Sequence, residues 1–138
     1  MVKKLLFILL FVFSVSINAQ TNTVNIDWNY GSNSNATGDA NASRIIEVGD
    51  TVTWTWTSGG HNVVSTASTA GESFNSGAYA GTPSGTTFSH TFTSIGATDY
   101  VCSPHAGNMF GTITVVADGS LSVVSFETLG TIDMYPNP

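Results

Sequence analysis

Apolar and polar residues alternate in short runs two apart along most of the chain, and no sustained three-and-four spacing appears after the first twenty residues. Val24, Ile26 and Trp28 alternate with Asn25 and Asp27, which gives a strand one apolar face. The strongest such signal is residues 51–57, where Val52, Trp54 and Trp56 face one way and threonines the other. Further strands are expected over residues 44–48, 61–65, 86–93, 98–102 and 110–116, with Phe88, His90 and Phe92 sharing a face. Gly49-Asp50 reads as a turn and Gly59-Gly60 as a break. Residues 29–43 form a long polar loop, and residues 66–85 an irregular connection with isolated Phe74 and Tyr79. About seven to eight short strands separated by turn signals predict an all-β fold, a Greek-key β-sandwich.

The start of the chain does not fit this pattern. Lys3 and Lys4 precede an apolar run over residues 5–15, and residues 16–19 end in the small Ala19. That is the layout of a secretory signal peptide, residues 1–19, and the run is too short for a permanent membrane helix. Residues 20–117 then form the folded domain, and residues 118–138 a linker and appended segment. The expected location is secreted, extracellular or at the cell surface, with the periplasm as the alternative, and no membrane span after cleavage.

Composition narrows the functional classes. The 138 residues are 41% hydrophobic and only 9% charged, enough apolar material to bury a core. With the leader removed, Arg44 is the only Lys or Arg left against nine acids. Nucleic-acid binding has no electrostatic basis in such a chain. One cysteine cannot form an internal disulfide, so stability rests on packing or a metal.

The chemistry concentrates in residues 100–111, YVCSPHAGNMFG. Cys102, His105 and Met109 lie between two expected strands, and a loop there can turn all three side chains toward one end of a sandwich. A second imidazole, His61, follows Gly59-Gly60 at the start of another strand. Taken alone, Cys102 reads as a small buried hydrophobe and Met109 as core filling; together with two histidines they read as a metal site. A thiolate and two imidazoles in a trigonal set, with a weak axial thioether, are what a type 1 blue-copper site requires. Zinc would want a fourth strong ligand, and methionine is a poor one. His90 alternates with Phe88 and Phe92 and is read as a structural strand histidine. It leaves too few histidines for a multicopper enzyme, so no enzymatic activity is expected.

Residues 45–65 (IIEVGDTVTWTWTSGGHNVVS) and 88–115 (FSHTFTSIGATDYVCSPHAGNMFGTITV) resemble the two signature regions of the plastocyanin/azurin-like cupredoxins, and residues 73–85 resemble their middle segment. The likeness covers residues 24–116. It implies a cupredoxin fold holding one copper ion, with His61, Cys102 and His105 as strong equatorial ligands and Met109 as the axial one. It also implies that Asn62 braces the two ligand loops. Three residues separate His105 from Met109, a spacing shorter than plastocyanin's and closer to azurin's. Thr98 stands where many relatives carry an aromatic residue. The implied function is single-electron transfer between redox partners through Cu(II)/Cu(I), with extracellular copper capture or delivery as the alternative. The family's electron route implies exit through His105, with Ala106 and Phe110 in the docking surface for unidentified redox proteins. Residues 126–138, FETLGTIDMYPNP, resemble the opening of a type IX secretion sorting domain, which implies a truncated sorting signal and passage beyond an outer membrane.

Overall fold

Residues 51–56 show why the alternation becomes structure. In the computed structural model, which describes residues 20–66 and 71–121, Val52, Trp54 and Trp56 are buried on one face of a strand, and the intervening threonines line the other. Seven strands form among the described residues: β1 Thr23–Trp28, β2 Arg44–Glu47, β3 Thr51–Trp56, β4 Val64–Ser65, β5 Thr87–Thr91, β6 Gly96–Val101 and β7 Phe110–Val116. They make two sheets, one ordered β1-β3-β5 and the other β2-β7-β6-β4. The chain changes sheet at every connection from β1 to β6, and only β6 and β7 follow one another within a sheet. β1 runs parallel to β3 and β2 parallel to β7, while the remaining pairs are antiparallel.

The core lies between the sheets. Ile26, Trp28, Val52, Trp54 and Trp56 from one sheet meet Ile46, Tyr100, Ile113 and Val115 from the other, each at most 2% exposed. Trp54 stands edge-on to Tyr100, with ring centroids 5.2 Å apart. The expected irregular connection holds a core residue. Phe74 is buried against Trp54, Phe88, His90, Phe92 and Tyr100, and its carbonyl accepts the Ser65 amide at 3.0 Å. The strand expected over residues 61–65 is shorter than the pattern suggested, because residues 61–63 leave the ladder.

Two close approaches fix the glycines near one end of the sandwich. A Cβ on Gly59 would lie 2.6 Å from the Thr82 carbonyl oxygen, and Gly60 adopts φ +82°. A Cβ on Gly111 would lie 2.1 Å from the Ala42 oxygen, so only glycine lets β7 pass the polar loop this closely. Among the described residues no helix is long and apolar enough to cross a membrane. The leader and the segment resembling a sorting domain lie outside the described residues.

Candidate metal centre

Strand periodicity carries the ligand loop to its position. On β6 the inward residues are Thr98 and Tyr100, and the next step of two is Cys102. On β7 they are Gly111, Ile113 and Val115, and one step of two back is Met109. Val101 pairs with Phe110, and the Cys102 amide donates to the Met109 carbonyl at 3.0 Å, so the thiol and thioether residues face each other at the mouth of one hairpin. Both are fully buried.

Between them the chain makes a 3-10 turn, Ser103–His105, with Pro104 in its first turn. The His105 amide donates to Cys102 O at 2.9 Å, and the Met109 amide donates back to His105 O at 2.9 Å. This closed loop folds His105 back over its own cysteine: Cys102 Sγ lies 3.5 Å from His105 Nδ1.

His61 arrives from the other side. Because β4 runs antiparallel to β6 with Val64 opposite Val101, the residues just before β4 lie beside those just after β6. His61 Nδ1 is 3.7 Å from Cys102 Sγ, and the two imidazole rings are 5.1 Å apart. The three ligand atoms lie within 4.8 Å of one another. Metal–nitrogen bonds of about 2.0–2.1 Å and a metal–sulfur bond of about 2.3 Å would hold sulfur and nitrogen about 3.5–3.8 Å apart in a trigonal to tetrahedral set. The observed separations fit one small metal ion in contact with all three atoms.

The donor chemistry agrees with the geometry. Burial, and then the charge of His105, hold the His61 imidazole below its ordinary pKa, which favours the neutral ring that binds metal. Burial pushes the Cys102 thiol up, against the hydrogen bonds from the Asn62 and His105 backbones, so metal binding displaces a proton that the apo site retains. One thiol and two imidazoles converge with no carboxylate among them, and the buried Met109 faces Cys102 across the hairpin, a soft donor set suited to copper.

A second layer of groups orients these ligands. Ser58 Oγ lies 3.0 Å from His61 Nε2, which leaves Nδ1 directed at the cysteine. The Trp56 indole donates to His61 O at 2.7 Å, the Trp28 indole donates to Asn62 O at 2.9 Å, and Thr82 Oγ1 both accepts from His61 N and donates to His61 O. Asn62 joins the two ligand segments as the resemblance implied. Its Oδ1 accepts the Ser103 amide at 2.8 Å, and its Nδ2 donates to Ser103 Oγ and Gly77 O. Ser58, Thr82 and Ser103 carried no distinguishing signal in a chain rich in serine and threonine.

His90 stays away from this cluster. It pairs with Val52, at the far end of β3 from Trp56, packs against Phe74 and Phe92, and shares a 2.8 Å hydrogen bond with Glu72.

Comparison with known proteins agrees with the site. The family of copper binding proteins of the plastocyanin/azurin type matches residues 19–116. A halocyanin from Natronomonas pharaonis is 44% identical over 73 residues, which cover 51% of this chain and 43% of the halocyanin. The chain therefore matches less than half the length of that relative. Among solved structures, a methionine-to-glutamine variant of amicyanin in its Cu(I) form superposes with a TM-score of 0.50 at 27% identity, covering 68% of this chain and 82% of that one. A reduced tryptophan-to-tyrosine variant of amicyanin gives 0.50 at 26% identity, covering 73% and 87%. With the two-sheet sandwich, the converging His61, Cys102 and His105 and a family match over most of its length, the chain belongs to the plastocyanin/azurin family of copper-binding proteins.

Proposed function

We propose that this protein is an exported electron carrier that holds one type 1 copper ion on His61, Cys102 and His105, with Met109 as the weak axial ligand. The convergence of Cys102 Sγ with the Nδ1 atoms of both histidines at 3.5 and 3.7 Å carries this reading. Copper bound there supplies a Cu(II)/Cu(I) couple. The chain's part is to keep the ligands still. Cys102 and Met109 sit on a paired hairpin, and Asn62 ties His61 to the cysteine loop. A site fixed in this way has little to rearrange when an electron arrives or leaves.

His105 is half-buried and Ala106 is exposed, so this imidazole is the ligand nearest an approaching partner. The ligand-bearing segments, residues 57–62 and 102–111, and the turn 29–33 that bonds to both contain no Asp, Glu, Lys or Arg. An uncharged rim supports docking through small residues and aromatic edges rather than through paired charges. Export rests on the leader pattern of residues 1–19, and release or surface anchoring on the likeness of residues 126–138 to a sorting domain.

Protein-film voltammetry of the copper-loaded protein, combined with NMR line broadening in mixtures of the two oxidation states, tests the carrier role. A reversible couple with rapid electron self-exchange is expected. An irreversible couple, or copper that leaves on reduction, would replace electron transfer with copper capture or delivery.

A further inference from the structure

The two ligand histidines are held differently. His61 has Ser58 on its outer nitrogen, whereas among the described residues no hydrogen bond holds the outer nitrogen of His105. The ring that meets His105 from outside belongs to Tyr30. The two centroids are 5.4 Å apart and the planes 83° apart, an edge-to-face contact.

Tyr30 is 62% exposed, so burial does not explain a large aromatic side chain in an otherwise polar loop. The turn that carries it is nevertheless fixed on every side. The Ser32 amide donates to Asn29 O at 2.9 Å, and Gly31 adopts φ +100° in the third position, where a type II turn needs a left-handed residue. Ser32, fully buried, accepts the Asn29 amide and donates to Asp27 O. The turn is then tied to the ligand loop. Ser32 O accepts the Phe110 amide at 3.2 Å, and Asn33 Nδ2 donates to Asn108 O at 3.3 Å, one bond on each side of Met109. On the other flank, Asn29 Nδ2 donates to Thr57 Oγ1 at 2.8 Å, beside Ser58.

None of these bonds needs an aromatic side chain at position 30. They fix where that side chain stands, and it stands against His105. We propose that Tyr30 is a positioning residue for His105, holding the imidazole from its solvent side as Ser58 holds His61. The proposal rests on the copper reading for its purpose and on the metal-free geometry for its substance. The ring makes the contact, so phenylalanine should replace tyrosine and alanine should not.

The test compares Tyr30→Phe and Tyr30→Ala with the wild type, first without metal. In the metal-free protein, the ring-current displacement of the His105 ring protons should persist in Tyr30→Phe and collapse toward free-histidine values in Tyr30→Ala. Both variants should keep the wild-type unfolding midpoint. In the copper-loaded protein, transfer of copper to a competing chelator should be about two- to fivefold faster for Tyr30→Ala and unchanged for Tyr30→Phe. Unmoved His105 signals or an unchanged release rate in Tyr30→Ala would overturn the proposal, and so would a Tyr30→Phe variant that behaves like alanine. A wild-type chain that takes up no copper would instead strike at the proposed function, while the metal-free comparison would still decide the role of Tyr30.

Discussion

His61 is held by its near neighbours Trp56 and Ser58 and by Thr82, and Asn62 by Trp28, Gly77 and Ser103, and this makes single residues around the copper ligands unequal in effect. Ser58 itself is exposed, so Ser58→Ala removes only the partner of His61 Nε2, and copper affinity should fall by about tenfold while the unfolding midpoint stays put. Competition with a chelator and thermal melting of the metal-free protein check the two halves of that expectation. Asn62→Ala is different, because Asn62 is 4% exposed and its side chain makes three bonds across the ligand segments. It should destabilise even the metal-free fold by about 1–3 kcal/mol, read from urea denaturation. The ligands were legible as residue types because thiol, imidazole and thioether are scarce in this chain. Thr82 and Ser103 were not, since their partners are distant in sequence; Ser58 is three residues from His61 but is one of many serines, and Tyr30 depends on a turn whose anchors are ordinary polar groups.

Among the elements, the β6–β7 hairpin governs the site. Its alternation points Cys102 and Met109 inward, and its pairing sets them opposite each other. Gly111→Ala would press a methyl group into the Ala42 carbonyl and should cost about 1–3 kcal/mol in chemical denaturation, with weaker copper retention because Met109 lies two residues away. The strands β1, β3, β5 and β7 could be read from period-two patterns with errors of only a residue or two. β4 could not, because just two of its residues pair, and a lone aromatic such as Phe74 has no periodicity to reveal that it plugs the core. At the opposite end Glu72 closes the fold. Burial raises the pKa of its carboxyl, but hydrogen bonds from His90, from the Thr93 amide and hydroxyl and from the Ser94 amide outweigh burial and hold it below its ordinary value. A depressed carboxylate pKa stabilises the fold above its unfolded value near 4.5, and that contribution is lost as pH falls through the lower folded value. Unfolding midpoints of the metal-free protein should therefore drop with pH through that acid window, and Glu72→Gln should flatten the drop.

At the scale of the whole molecule, the fold brings together two ligand segments, residues 57–62 and 102–111, that carry no Asp, Glu, Lys or Arg. Nine acids and only three Lys or Arg residues are distributed over the rest of the sequence. His61 and the 102–109 loop are separated by about forty residues of chain, so one ion bound to both links segments that otherwise meet only through packing and hydrogen bonds. Copper should accordingly raise the melting temperature, and chelation should return it to the metal-free value, in a calorimetric comparison of the two forms. The architecture was legible because strand alternation, turn glycines and the ligand spacing all point to one sandwich; the packing of the polar 29–43 loop against the ligand hairpin was not, because its contacts are made by backbone groups and by ordinary polar side chains such as Asn33 and Ser43. Binding of copper by the Cys102 thiolate together with both histidines is read most directly from the visible absorption spectrum on adding Cu(II) to the purified protein. An intense blue sulfur-to-copper charge-transfer band is expected, saturating at one ion per chain and absent in Cys102→Ser. A colourless wild-type protein, or a Cys102→Ser variant that keeps the band, would contradict it.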